Sequence, residues 1–206
     1  MKLRFSPASP YVRKCLALAH EVGLAGRIDV VPTATADPTS GLAKENPLGK
    51  IPALIAKDGQ VFFDSPVICE YLDSLHRGPK LIPARGKARW VALRRQALAD
   101  GLLDAALLRR YEGARPAHER SATWDEKQKN VVARTLDALE KEAKDLGKPK
   151  AKRTTLGHIA IGCALGYLDF RFAAENWRNG RPNLTRWYED FSKRPSMAAT
   201  VPKDMA

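Results

Sequence analysis

Apolar positions change their spacing part-way along the chain. In the first eighty residues short apolar runs alternate with helical stripes. Leu3-Arg4-Phe5 reads as a strand, and Ser6-Pro7-Ala8-Ser9-Pro10 as a turn running into a helix. From Pro10 to Val22 the apolar Val12, Cys15, Leu16 and Ala19 recur at three- and four-residue intervals, one buried stripe that Gly23 ends. Ile28 to Val31 reads as a second strand, and the Pro-, Thr-, Ala- and Asp-rich stretch 32–41 as a loop with room for a short helix. Ile51–Ala56 and Val61–Phe63 flank Lys57-Asp58-Gly59-Gln60; Asp-Gly between apolar runs is a strong hairpin signal. Ser65-Pro66 opens a helix to about His76, because serine caps well and proline suits the first helical position.

Beyond Gly78 to Pro83 strand signals vanish. Residues 84–112, 124–146, 156–174 and 183–192 all read as helices, with Pro149, Pro182 and Pro195 punctuating the gaps and the tail. The pattern predicts an α/β first domain, β-α-β-α-β-β-α with a mixed sheet (residues 1–77), a linker (78–84) and an all-helical second domain (85–206). At 206 residues either part can bury a core.

Charge changes this picture little. The net charge is +12, of which residues 1–80 carry +2 and the rest +10. The basic groups (Arg94-Arg95, Arg109-Arg110 and the run 148–153) are dispersed or mixed with acids, as on a solvated helical surface. No helix interleaves basic residues with stacking aromatics, which argues against nucleic acid. No apolar run approaches the roughly 20 residues that span a bilayer, and the first residues lack a secretory pattern. Three separated cysteines, Cys15, Cys69 and Cys163, sit in apolar segments and read as reduced core thiols of a cytoplasmic protein, not as a metal site.

Three local motifs carry chemistry. Ser9-Pro10-Tyr11-Val12 at the strand-to-helix turn resembles the Cys-Pro-Tyr-Cys turn of glutaredoxins, with Ser9 in place of the first cysteine and Val12 of the second. Asn46-Pro47-Leu48-Gly49-Lys50-Ile51-Pro52 resembles the glutathione transferase segment that ends in a cis-proline. Asp64-Ser65, followed by Ile68, Glu70, Tyr71 and Leu72, is similar to that family's acid-serine motif. In this order, with a helical remainder, they make the chain resemble the cytosolic glutathione S-transferase superfamily, in its bacterial, serine-type form, over nearly its whole length.

The resemblance implies glutathione as co-substrate, no metal, a homodimer, and a detoxifying transferase that adds the glutathione thiolate to an electrophilic small molecule. The alternative is a non-catalytic binding or regulatory protein on the same fold. It also implies a cis bond before Pro52, since only about 5–6% of X–Pro bonds are cis and spacing alone would not predict one. Ile51 would then present its N–H and C=O to an extended peptide. Ser65 and Asp64 would take the carboxylate and ammonium of the γ-glutamyl end, and Lys50 the glycyl carboxylate. Helix N-termini suit anions, although Ser65 and Asp64 would also serve as plain helix-start residues.

Ser9 would donate to the bound sulfur. A thiol of pKa about 8.5 needs about 2 kcal/mol to be half-ionised at pH 7, and a hydrogen bond to a charged acceptor contributes about 1.5–3 kcal/mol. Ser6 is a rival donor, and a simple helix cap is the bland role for Ser9. Cys15, six residues on at roughly 100° per residue, faces away from Ser9. The second substrate is expected against Tyr111, Tyr167 and Phe170. Arg13 and Lys14 receive no chemistry. Where the family places a Ser/Thr and an Asp three positions later, this chain has Thr155 and His158, which predicts a weaker helix cap.

Overall fold

The computed structural model describes residues 1–147 and 154–205; the basic run 148–153 lies outside them. Its elements are β1 (Lys2–Phe5), α1 (Pro10–Glu21), β2 (Asp29–Pro32), α2 (Leu42–Glu45), β3 (Leu54–Ile55), β4 (Val61–Phe62), α3 (Ser65–Ser74), α4 (Gly86–Ala114), α5 (Ala122–Glu142), α6 (Leu156–Arg171), α7 (Pro182–Phe191) and α8 (Pro195–Ala198). The strands form one mixed sheet in the order β2-β1-β3-β4. β1 runs parallel to β2 and antiparallel to β3, and β4 returns antiparallel to β3. The α/β half followed by a helical half is the fold the apolar pattern predicts.

Several elements are shorter than their apolar runs. The run 51–56 joins the ladder only from Ala53, whose C=O accepts from the Arg4 N–H at 2.9 Å, because Pro52 has no N–H to offer. α3 stops at Ser74 instead of His76, and Asp73 near its end holds the segment that follows. Its carboxylate oxygens accept from the Leu81 and Ile82 N–H groups at 2.9 and 3.0 Å, and His76 Nε2 lies 2.9 Å from one of them. The stretch after α3 is thereby pinned, with Leu81 and Ile82 buried. α8 was not foreseen; four residues are too few for an apolar period to show.

A single cluster of buried apolar residues runs through both halves, from Leu3, Val12 and Leu72 through Leu102 and Leu136 to Ile161 and Phe191. α6 is its axis: residues 159–168 are buried without a break, as expected of a helix apolar on all sides. The α1–α6 contact depends on a missing side chain. A Cβ on Gly166 would fall 2.1 Å from Arg13 Nη1 and 2.7 Å from the Tyr188 hydroxyl.

Candidate functional site

Antiparallel pairing puts three chain segments at one end of the sheet. β1 leaves the sheet at Phe5 toward Ser9. Because β3 is antiparallel to β1, the residues entering it, Ile51 and Pro52, sit beside that exit. β4 pairs Phe62 with Leu54, so Phe63 and Asp64 emerge at the same end and start α3. The Cys15 thiol lies 3.9 Å from the Ser65 C=O and from the Cys69 sulfur, which ties the opening turns of α1 and α3 together. All three cysteines are buried free thiols. Burial pushes the Cys163 thiol up to about 11 and the Cys15 thiol well above its ordinary value.

Ser9 caps α1: its hydroxyl accepts from the Val12 N–H at 3.3 Å, and its own N–H donates to the Ser6 C=O at 3.1 Å. The acceptor role leaves the hydroxyl proton free for a second partner. Ser6 ends the strand side of the same turn, so Ser9, not Ser6, stands at the helix terminus.

The Ile51–Pro52 bond is cis, and so is Phe63–Asp64. Asn46 builds the approach to Pro52. Buried, it donates through Nδ2 to the Lys50 C=O at 2.7 Å and accepts from the Leu48 N–H at 3.0 Å. Gly49, at φ +62°, takes the left-handed turn that a Cβ disfavours. Neither the N–H nor the C=O of Ile51 has a hydrogen-bond partner among the described residues. Lys50 is exposed, and its ammonium is likewise unpaired among them.

Ser65 is buried as a residue, 2% exposed; its hydroxyl makes no hydrogen bond to the described residues, and its oxygen is not one of the fully buried unpaired atoms, so it stays within reach of a ligand or solvent. Asp64 is exposed and makes no side-chain cap bond. The first backbone bond of α3 is Ile68 N–H to Asp64 C=O at 3.0 Å, so the Ser65 and Val67 N–H groups stay free. The start of α3 thus holds unpaired donors beside one solvated carboxylate.

Sequence reasoning missed the seam facing this turn. Tyr11 donates its hydroxyl to Asp104 on α4, and burial, with that carboxylate, drives its pKa upward. Lys14, fully buried, reaches Asp100 at 2.7 and 2.6 Å. Burial works against its charge, but Asp100 wins and holds the ammonium protonated. Arg13 is also buried and donates through Nη2 to the Met197 C=O at 3.2 Å. A Tyr-x-x-Lys spacing of i, i+3 on one helix face was the available signal for two of these three. Their partners lie 86 and 93 positions away, beyond any local pattern.

The three residues expected around a second substrate differ in setting. Tyr167 is buried, Phe170 half-buried and Tyr111 exposed. Burial raises the Tyr167 phenol, against the pull of Arg110 and Arg171, with Tyr111 also within electrostatic reach. Tyr11 and Tyr167 sense each other too, so this group borders the first turn of α1.

The predicted weak cap of α6 is corrected. Thr155 N–H donates to His158 Nδ1 at 3.0 Å, and the Thr155 hydroxyl lies 2.8 Å from the same atom. A neutral imidazole accepts there as the family's carboxylate would, and it also hydrogen-bonds the Leu146 backbone. Burial first, then the charges of Arg95 and Arg194, push its pKa down to about 4.

Known proteins match this architecture. Residues 8–75 match the family model described as the N-terminal domain of glutathione S-transferase, and residues 115–190 that of its C-terminal domain. The uncharacterized GST-like protein YibF of Escherichia coli K12 is 38% identical over 203 residues, 98% of each chain. Among solved structures, a glutathione transferase family member from Pseudomonas fluorescens Pf-5 with bound glutathione superposes with TM-score 0.92 at 44% identity, covering 98% of both chains. A glutathione S-transferase from Methylobacillus flagellatus KT with glutathione bound gives 0.91 at 40% identity, over 98% of this chain and 99% of that one. The chain belongs to the glutathione S-transferase family.

Proposed function

We propose that this protein binds glutathione across the sheet end described above, ionises its thiol and transfers it to an electrophilic small molecule. One observation carries the reading: the backbone of Ile51, the Ser65 hydroxyl and the first N–H groups of α3 are all unpaired at the same end of the sheet. Unused hydrogen-bonding groups lined up at one sheet edge suit a peptide ligand, and an extended peptide with a carboxylate at one end would satisfy these. Ile51 would pair with the cysteinyl main chain, Ser65 and the α3 N-terminus with the γ-glutamyl carboxylate, Asp64 with its ammonium and Lys50 with the glycyl carboxylate. Glutathione is bound in both relatives of known structure described above.

In this reading Ser9 acts on the sulfur. Its free hydroxyl proton and the α1 terminus stabilise a thiolate. The thiol proton leaves to solvent; the sulfur lone pair then forms a C–S bond while the carbon's leaving group departs or its π-electrons take up a proton. Residues 1–77 would form the glutathione-binding domain and 85–206 the helical one. A dimer is part of the proposal: Arg89 joins α4 to α3 through Glu70 at 2.9 Å, and next to that ion pair Trp90 is 67% exposed and Val67 47%. Exposed apolar residues so grouped suit a two-fold interface. Light scattering is expected to give twice the 22.8 kDa chain mass, and Trp90→Glu to shift it toward one. Titration calorimetry with glutathione, followed by thiol transfer to a panel of electrophiles in wild type and Ser9→Ala, tests the activity. Absence of glutathione binding would remove it.

A further inference from the structure

The end of α6 carries an ion pair of unequal partners. Arg171 donates through Nη2 to Asp204 at 2.5 Å; the arginine side chain is 14% exposed and the aspartate 71%. The guanidinium carbon stacks 3.8 Å from the Phe170 ring centroid, so the cation is fixed against an aromatic wall while its anion hangs in water. Asp204 belongs to the segment after α8, which reaches back over the α1 turn: the Lys203 N–H donates to the Pro7 C=O at 3.3 Å. Pro7 lies two residues before Ser9, so the segment that carries Asp204 to Arg171 also passes the α1 turn.

The surrounding charge is unbalanced. Arg110 and Arg171 both lie within electrostatic reach of the Tyr167 phenol. Asp104 is engaged by the Tyr11 hydroxyl. Beside the candidate second-substrate region Arg171 is thus paired with a solvent-exposed carboxylate, and Arg110 has no ion-pair partner among the described residues. A half-buried guanidinium favours a planar, two-oxygen acceptor. A carboxylate delivered on a ligand gains a bond whose donor is already ordered, and it displaces an aspartate that returns to water.

We infer that the second substrate is an electrophile bearing a carboxylate, that Arg171 is the residue selecting it, and that Asp204 holds the place of that carboxylate in the unliganded protein. The inference rests on the proposed glutathione site and deepens it.

Two glutathione conjugates of nearly equal shape test it without turnover. S-carboxymethylglutathione carries the charge; S-carbamoylmethylglutathione is its neutral amide. Calorimetry on the wild type is expected to favour the acid at least fivefold. Asp204→Asn is expected to tighten the acid threefold or more and leave the amide unchanged. Arg171→Gln should abolish the preference while still binding the amide, which also reports that the variant is folded. Equal wild-type affinities for acid and amide, or a preference that survives Arg171→Gln, overturns the inference and leaves the glutathione site standing. An unmoved acid affinity in Asp204→Asn overturns the placeholder role. Failure of glutathione and both conjugates to bind overturns the underlying reading and this one with it.

Discussion

Three helices begin with unusual care, and they divide in two ways. α6 starts closed: Thr155 N–H donates to His158, Leu156 N–H to the Leu81 C=O at 3.0 Å, and the histidine binds the Leu146 backbone in turn. α1 and α3 start open. Ser9 accepts one bond and keeps its proton, Ser65 is buried with an idle hydroxyl, and α3 leaves two N–H groups unpaired. The same local chemistry, a hydroxyl or acid before a helix, serves opposite ends. In the interior most donors are satisfied by the chain itself, because no water reaches them; Arg13 Nε and Nη1, Thr154 Oγ1 and Trp187 Nε1 are buried exceptions among the described residues. At the sheet end donors can remain unpaired because a ligand or solvent completes them. A closed start therefore contributes to folding, and an open one is left available for the proposed glutathione.

The largest test breaks the closed start. His158 is neutral in the fold, with a pKa near 4, against an ordinary value of 6.5. Its folded pKa is depressed, so the stability it protects is complete above pH 6.5. It is lost as pH falls toward 4, where the unfolded chain takes up a proton that the fold refuses. The span of 2.5 units corresponds to about 3 kcal/mol. Denaturant unfolding at pH 7 and pH 4.5 is expected to show most of that loss, and His158→Asn to flatten the slope between them. An equal slope in both proteins would mean that other groups set the acid response.

Much of this division was legible in the chain, and the reason is locality. The Asp58-Gly59 hairpin, the Pro10 and Pro66 helix starts and the α6 apolar run each lie within a window of a few residues, where spacing reports directly on structure. The motifs at Ser9, Ile51-Pro52 and Asp64-Ser65 were readable for the same reason. What stayed hidden is what needs the fold to bring distant residues together. Lys14 looks like any surface lysine until Asp100 arrives from α4, and Arg171 looks ordinary until Asp204 meets it across 33 positions. His158 was misjudged differently. Its residue type was read as a poor acceptor, whereas burial fixes it as a neutral ring whose Nδ1 is a good one.

The second test separates the two roles of Ser9. On the proposed mechanism, removing its hydroxyl would forfeit about 1.5–3 kcal/mol of charge-assisted bonding to a thiolate, so the pKa of bound glutathione is expected to rise by one to two units. Rates with a strong electrophile should fall at pH 6.5 and recover in part at pH 9. The cap bond to Val12 is lost as well, at about 1 kcal/mol of stability. Ser6→Ala is the control. A Ser9→Ala enzyme with lower stability and an unmoved pH–rate profile would leave Ser9 as a cap alone.

The smallest effect, and the sharpest on the open start, is that of Ser65. Its hydroxyl makes no bond in the described residues, so Ser65→Ala removes nothing the fold uses, and the melting temperature should hold within a few degrees. Bound glutathione would lose one donor to its γ-glutamyl carboxylate, a charge-assisted bond worth about 1.5–3 kcal/mol. The neighbouring Ser65 and Val67 N–H groups remain and recover part of that, which puts the expected loss near tenfold in affinity, or about 1.4 kcal/mol. Thr155→Ala is the counterpart at the closed start: it should lower stability while leaving glutathione affinity where it was. Opposite outcomes, with Ser65→Ala unfolding the protein and Thr155→Ala weakening the ligand, would reverse the assignment of binding to one pair of helix starts and folding to the other.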